Sequence, residues 1–144
     1  MAKYIIDTHS LVWLLSESLR LKIEQRKAFR DIGAEFYIPV HVFEEIRFKF
    51  EKFKKDNKSQ GSIKVPPIVA WRIVKKCSNV KIVRLNNREI IEWSRKRPQI
   101  NDIKIDDRAF VVLQLILQEK YPRTDVKIIT LDGDIKKHPL TRTI

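Results

Sequence analysis

Cys77 is the only cysteine in the chain. One thiol excludes a disulfide framework and a Cys-rich zinc site. With no base identifiable beside it, Cys77 reads as a small buried apolar residue rather than a nucleophile. No apolar run approaches the roughly 18 residues a membrane helix needs. The opening Met1-Ala2-Lys3-Tyr4 runs straight into a strand-like stretch and lacks the architecture of a secretory signal. No internal repeat and no interdomain linker stands out. A bacterial or archaeal cytoplasm is the expected location. Negative charge is the scarcest resource: 18 Asp and Glu face 30 Lys and Arg, a net charge of +12.

The chain has 144 residues, 43% of them hydrophobic, enough for one domain with a sizeable core and too apolar for disorder. The excess charge is local. Residues 47–104 hold 17 basic and 5 acidic residues, while the flanking segments are close to balanced. A lysine-rich face can be mere solvation. An imbalance this concentrated favours an anionic partner, with nucleic acid ahead of a membrane surface.

Periodicity predicts alternating strands and helices. Tyr4, Ile5 and Ile6 form a short buried strand ending at Asp7. Ser10–Ser16 predicts a helix, and a second is expected from about Leu21 to Ile32, stopped by Gly33. Phe36-Tyr37-Ile38 is the next strand, closed by Pro39. Val40 to about Lys55 is strongly helical, with Val42, Ile46, Phe50 and Phe53 on one face. Asp56–Ser62 reads as a loop, and Pro66-Pro67 opens a helix. Val80–Leu85 reads as a strand, Asn87 as the cap of a helix to about Arg97, Ile105–Gln118 as a long apolar helix, and Val126–Leu131 as a buried strand. A short last helix is expected after it. Unbroken apolar strands between helices predict a parallel sheet covered on both faces, a three-layer α/β/α domain over 1–144 with a basic helical middle at about 47–104.

Ligands of such sheets bind at the carboxyl ends of the strands. Asp7 and Asp132 both follow predicted strands, which brings them to one crevice. Glu45 and Asp107 also stand near the ends of elements. Converging carboxylates raise one another's pKa unless a cation joins them. A small acidic pocket on a basic protein therefore suggests metal-assisted cutting of a polyanion.

The opening Tyr4-Ile5-Ile6-Asp7-Thr8-His9-Ser10-Leu11-Val12-Trp13-Leu14-Leu15 resembles that of PIN-domain nucleases, which include the VapC toxins of toxin–antitoxin pairs. Ile38-Pro39 with Glu45-Ile46, Asp107-Arg108 with Ala109-Phe110-Val111-Val112, and Ile128-Ile129-Thr130-Leu131-Asp132 with Ile135 resemble the remaining blocks, in the family's order. The resemblance implies a PIN fold and a ribonuclease in which Asp7, Glu45, Asp107 and Asp132 are catalytic and hold Mg²⁺ or Mn²⁺. Such hard cations take oxygen ligands, keep several waters and bind phosphate directly. It also implies an RNA substrate, an antitoxin partner and a homodimer. Asp106 stands where the family commonly has His, and Val112, Leu113 and Gln114 stand where it has small residues.

Each residue has a plainer reading. Glu45 lies at the margin of the Val42/Ile46 face, whereas Glu44 points nearly opposite and reads as a solvated charge. Asp102, Asp106 and Asp107 crowd one helix start, where any of them serves as a cap; wheel geometry prefers Asp106, the family block Asp107, and Asp102 reads as an accessory acid. Thr130 and Thr8 are expected to support the site. His9 reads as a residue that supports the site from behind or packs, rather than as a general base, and His41 and His138 have no companions at ligand spacing. Trp71 and Trp93 read as core. Lys52, Lys54 and Lys55, in the run from Lys49 to Lys58, and Arg95-Lys96-Arg97 are candidate RNA contacts, which would act on phosphates without reading sequence. Two other classes compete with the nuclease. One is a PIN-fold RNA-binding module without activity. The other is a receiver-like signalling domain, which the positive charge and the lack of a matching Thr–Lys pair disfavour.

Overall fold

The computed structural model describes residues 1–16, 20–55 and 65–144. The expected loop at 56–62, with Lys58 and Gly61, lies outside the described residues, as does the Phe53 side chain. Strands β1 (Lys3–Ile6), β2 (Glu35–Pro39), β3 (Val80–Val83) and β4 (Val126–Ile129) form one sheet in the order β3-β2-β1-β4. Every pairing is parallel, with Ile5 opposite Tyr37 on one side and Ile128 on the other. The three-layer parallel architecture expected from the apolar runs is therefore present.

Helices α1 (Thr8–Leu15), α2 (Ile23–Phe29), α3 (His41–Lys55), α4 (Pro67–Lys75), α5 (Asn87–Lys96), α6 (Ile105–Lys120) and α7 (Gly133–Lys137) make the crossovers, with a 3₁₀ turn at Pro98–Asp102. Ile5, Ile6, Ile38, Val42, Ile46, Phe110, Val111, Ile128 and Ile129 are all but sealed from solvent in one continuous core. Each such side chain contributes about 2 kcal/mol by leaving water. Helix α6 carries much of it, and its buried Gln114 does polar work there. The Gln114 amide nitrogen donates to the carbonyls of Val126 and Arg142, both at 2.8 Å. A polar residue in an apolar helix thus holds β4 and the following segment side by side.

Several local expectations are corrected. Helix α2 ends at Phe29, well before Gly33, because the Asp31 side chain accepts the Gly33 N–H at 2.9 Å and closes a turn there. The cap of α5 is Asn86, not Asn87: its side chain accepts the Glu89 N–H at 2.8 Å. Cys77 is exposed rather than buried, since it follows the end of α4. Helix α5 has no fully buried residue, so Trp93 is a half-buried flank with the Lys96 ammonium 5.0 Å from its ring centre. Trp71 does pack on the core's edge, edge-on to Phe43 at 4.9 Å.

Candidate active site

Asp7 leaves β1 and immediately caps α1. Its Oδ1 accepts the Ser10 N–H at 2.8 Å, and the residue is only 6% exposed. Burial raises the Asp7 pKa, against the opposing pull of Ser10 and of the Thr130 hydroxyl. The Ser10 hydroxyl itself is buried without a hydrogen-bond partner among the described residues. Asp132 plays the matching role after β4: its Oδ1 accepts the Asp134 N–H at 2.8 Å and caps α7. Thr130 joins the two acids. Its hydroxyl oxygen accepts the Asp132 N–H at 2.9 Å while its proton is available to Asp7.

The other two acids arrive on helices. Glu45, on α3, is half-buried, whereas Glu44 is exposed. The Thr8 hydroxyl donates to Glu45 Oε2, and Lys49 pairs with Oε1 at 3.0 Å. Burial would raise the Glu45 pKa, but Thr8 and Lys49 outweigh it and hold the carboxyl below its ordinary value. Asp107, in the first turn of α6, is half-buried, whereas Asp106 and Asp102 are exposed. Burial, and then the charges of Asp132, Asp7 and Glu45, push Asp107 up to about 6. Three carboxylates from three other parts of the chain thus act on Asp107 at one end of the sheet.

Among the described residues, no three Asp, Glu, His or Cys side chains stand close enough to grip one ion together. The set suits a hard divalent cation by chemistry and charge, and Mg²⁺ is commonly held through one or two carboxylates, with water and phosphate filling the other positions. A cleft of about 420 Å³ opens beside Asp107, lined by Asp102, Lys104, Asp134, Lys137 and Pro139 among others. Asp102 is therefore a wall of the approach rather than a member of the central four.

The remaining candidates separate by place. The His9 ring is exposed, with Nε2 3.4 Å from the Lys49 ammonium. The His41 ring lies tilted against Phe110, centres 4.9 Å apart, with its Nε2 buried and unpartnered among the described residues; burial lowers its pKa, although Glu45 and Asp106 pull it up. His138 is structural, with Nε2 3.0 Å from the Gln99 carbonyl and Nδ1 accepting the Leu140 N–H. Lys52, Lys54 and Lys55 are exposed on the last turn of α3, and Arg95, Lys96 and Arg97 at the end of α5. Cations that act on the acidic centre are Lys49, paired with Glu45, Lys104, which lowers Asp107, and the His9 ring, which lowers Asp7 and Glu45. The spacing Glu45-Lys49, one helical turn, was the sequence signal for the first of these.

No known family profile matches the chain, and no curated protein matches it by sequence. Solved structures do match by shape. A chain in the crystal structure of VapBC2 from Rickettsia felis bound to a DNA fragment from their promoter superposes with a TM-score of 0.64, at 12% identity, over 99% of this chain and 97% of that one. A chain in a toxin–antitoxin complex from Klebsiella pneumoniae gives 0.58, at 16% identity, over 98% and 95%. Likeness at such low identity speaks for architecture. The chain shares the fold of a chain in each of these two toxin–antitoxin complexes.

Proposed function

We propose that this protein is a metal-dependent endoribonuclease that hydrolyses RNA phosphodiester bonds, acting as the toxin of a toxin–antitoxin pair. The observation that carries the reading is the gathering of Asp7, Glu45, Asp107 and Asp132 at one end of the sheet, where burial and then the charges of the other three lift Asp107 to about 6. Buried like charges at the carboxyl end of a parallel sheet are costly to the fold. They make sense as a site completed by cations.

In this reading Asp7, Glu45, Asp107 and Asp132 would hold Mg²⁺ or Mn²⁺. The bound metal would acidify a water to make a nucleophile and stabilise the leaving oxygen. The chain's own groups do the positioning. Thr130 keeps Asp7 and Asp132 in fixed relation, and Thr8 orients Glu45. Lys49 offsets charge at Glu45 and stands ready to meet a phosphate. Lys52, Lys54, Lys55, Arg95, Lys96 and Arg97 supply outlying phosphate contacts that bind in a salt-dependent, sequence-blind way. The antitoxin partner is supported by the solved neighbours, both of which are toxin–antitoxin complexes.

The wide spacing of the carboxylates favours one competing reading, an RNA-binding module without activity. Incubation of the protein with mixed tRNA, rRNA and mRNA in Mg²⁺, Mn²⁺ or EDTA separates the two. The nuclease cuts with metal, and Asp7→Asn does not. If both proteins bind RNA in a salt-sensitive way and neither cuts, the binding module is correct.

A further inference from the structure

Two clefts meet at Pro139. The first is the one of about 420 Å³ beside Asp107. The second, of about 240 Å³, shares Pro139 in its wall and is lined by Arg97, just past the end of α5, and by Arg142, beyond α7. Their charges differ. The first sets Asp102, Asp107 and Asp134 against Lys104 and Lys137. The second has two guanidinium groups and, among the described residues, no carboxylate in its lining.

The other polar groups of the second cleft are already used. The Gln114 amide holds the carbonyls of Val126 and Arg142, and its Oε1 accepts the Arg142 N–H at 3.3 Å. The Gln118 amide donates to the Thr124 carbonyl at 2.7 Å, and its Oε1 accepts the Val126 N–H at 3.3 Å. What remains to meet a ligand is the pair of arginines and an apolar wall of Leu115 and Leu140. That combination suits a nucleotide, which is charged at its phosphate and flat and weakly polar at its base. Among the described residues, Arg97 makes no salt bridge. Arg142 reaches Asp125 at 3.2 Å, but both side chains are more than half exposed, and such a surface pair yields readily to another oxyanion. The two rims are tied together: the His138 ring, one residue before Pro139, stands 3.0 Å from the carbonyl of Gln99, in the turn that follows Arg97. A phosphodiester carries one negative charge on two free oxygens, and one guanidinium fork can take both.

We propose that an RNA strand leaving the acidic centre crosses Pro139 and lays its next phosphates against Arg97 and Arg142. The path rests on the ribonuclease reading. It gives the strand a direction across the protein, along the β4 side of the sheet and away from the lysine-rich end of α3.

The test uses the full chain carrying Asp7→Asn, so that RNA is bound without being cut. Affinity for a single-stranded oligoribonucleotide is measured by fluorescence anisotropy across a salt series, with and without Arg97→Gln plus Arg142→Gln. The plot of log affinity against log salt should become shallower by about 1.4, two contacts at roughly 0.7 each. Arg97→Lys plus Arg142→Lys should keep the slope. Lys75→Gln plus Lys76→Gln removes the same charge where α4 gives way to β3, at the opposite edge of the sheet, and should leave the slope unchanged. An unchanged slope in the arginine-to-glutamine pair overturns the path, as does an equal change in the lysine pair or failure of the parent to bind. Cleavage by the chain with Asp7 intact is followed alongside. A shallower slope without any metal-dependent cutting overturns the ribonuclease reading and keeps the arginine cleft as an RNA site; cutting with an unchanged slope does the reverse.

Discussion

The two ends of the sheet treat buried charge in opposite ways. At the amino end, Lys3 is only 5% exposed, yet every group around it answers it. Its ammonium bonds Glu35 at 2.7 Å, approaches the Tyr37 hydroxyl at 3.4 Å and lies 4.2 Å from the centre of the Tyr121 ring. The Tyr37 hydroxyl donates to the same Glu35 oxygen at 2.7 Å. Lys3 and Tyr37 hold the Glu35 carboxyl down at about 2, while burial and Glu35 push Tyr37 up to about 12. Burial alone would lower Lys3, but its bonds to Glu35 and Tyr37 more than restore it. At the carboxyl end Asp107 has burial and then the like charges of Asp132, Asp7 and Glu45 against it, and it is lifted instead of lowered. Opposite charges brought together inside a fold stabilise it. Like charges brought together there wait for something from outside.

That contrast can be broken at either end. The largest effect should be on chemistry: Asp7→Asn should lower metal-dependent RNA cleavage about a thousandfold, the loss of several kcal/mol of charge stabilisation. Lys3→Met should leave that cleavage rate intact in the folded protein, as a gel assay on both variants would show. Its cost should fall on stability, at about 2 kcal/mol in urea unfolding. That lies below the range for a fully buried pair, because Glu35 keeps 24% of its side chain exposed.

Metal should stabilise only the acidic end. Mg²⁺ at about 100 times its dissociation constant should add about 2.7 kcal/mol to the native protein. The same addition should give little to Asp7→Asn, with thermal melts as the readout and EDTA reversing the gain. An equal gain in both would place the ion elsewhere.

The smallest effect carries a sign. Asp107 has a raised folded pKa, so the native state holds its proton more tightly than the unfolded chain between the ordinary value of 3.8 and about 6. Metal-free stability should therefore fall as pH rises through that window. Asp107→Asn should remove the fall and stabilise the metal-free protein near neutrality by about 1 kcal/mol, after allowance for solvent screening. Glu35 runs the other way: its contribution is present above the ordinary 4.5 and disappears as pH drops toward about 2. Acid titration of Asp107→Asn and Lys3→Met in urea resolves the two opposed slopes.

Much of this was legible from the chain. Unbroken apolar strands between helical repeats suffice for a parallel sheet, and strand ends then locate Asp7 and Asp132. Helical spacing places Glu44 outward and Glu45 at the margin, as they are found. The same wheel leans toward Asp106 where the fold turns Asp107 inward, because the helix start at Ile105 sets the rotation and its cap carries no side-chain bond. What could not be read locally was contact between distant residues. Nothing around Lys3 announces Glu35 and Tyr121. Cys77 was misplaced because residue type predicts burial only on average, and its position after α4 decided otherwise.

The order of the strands has a consequence in time. Of the four described strands β1 is made before the others, and it lies between β2 and β4, which is made after them. Asp7 therefore emerges early without the neighbour that completes its surroundings. Until residues 126–132 have been synthesised, the acidic end has no Thr130, no Asp132 and no closed edge. A chain stalled before that point is a nascent protein with a half-built site. The acidic end is complete only after the last of its contributors has been added and has closed on the first.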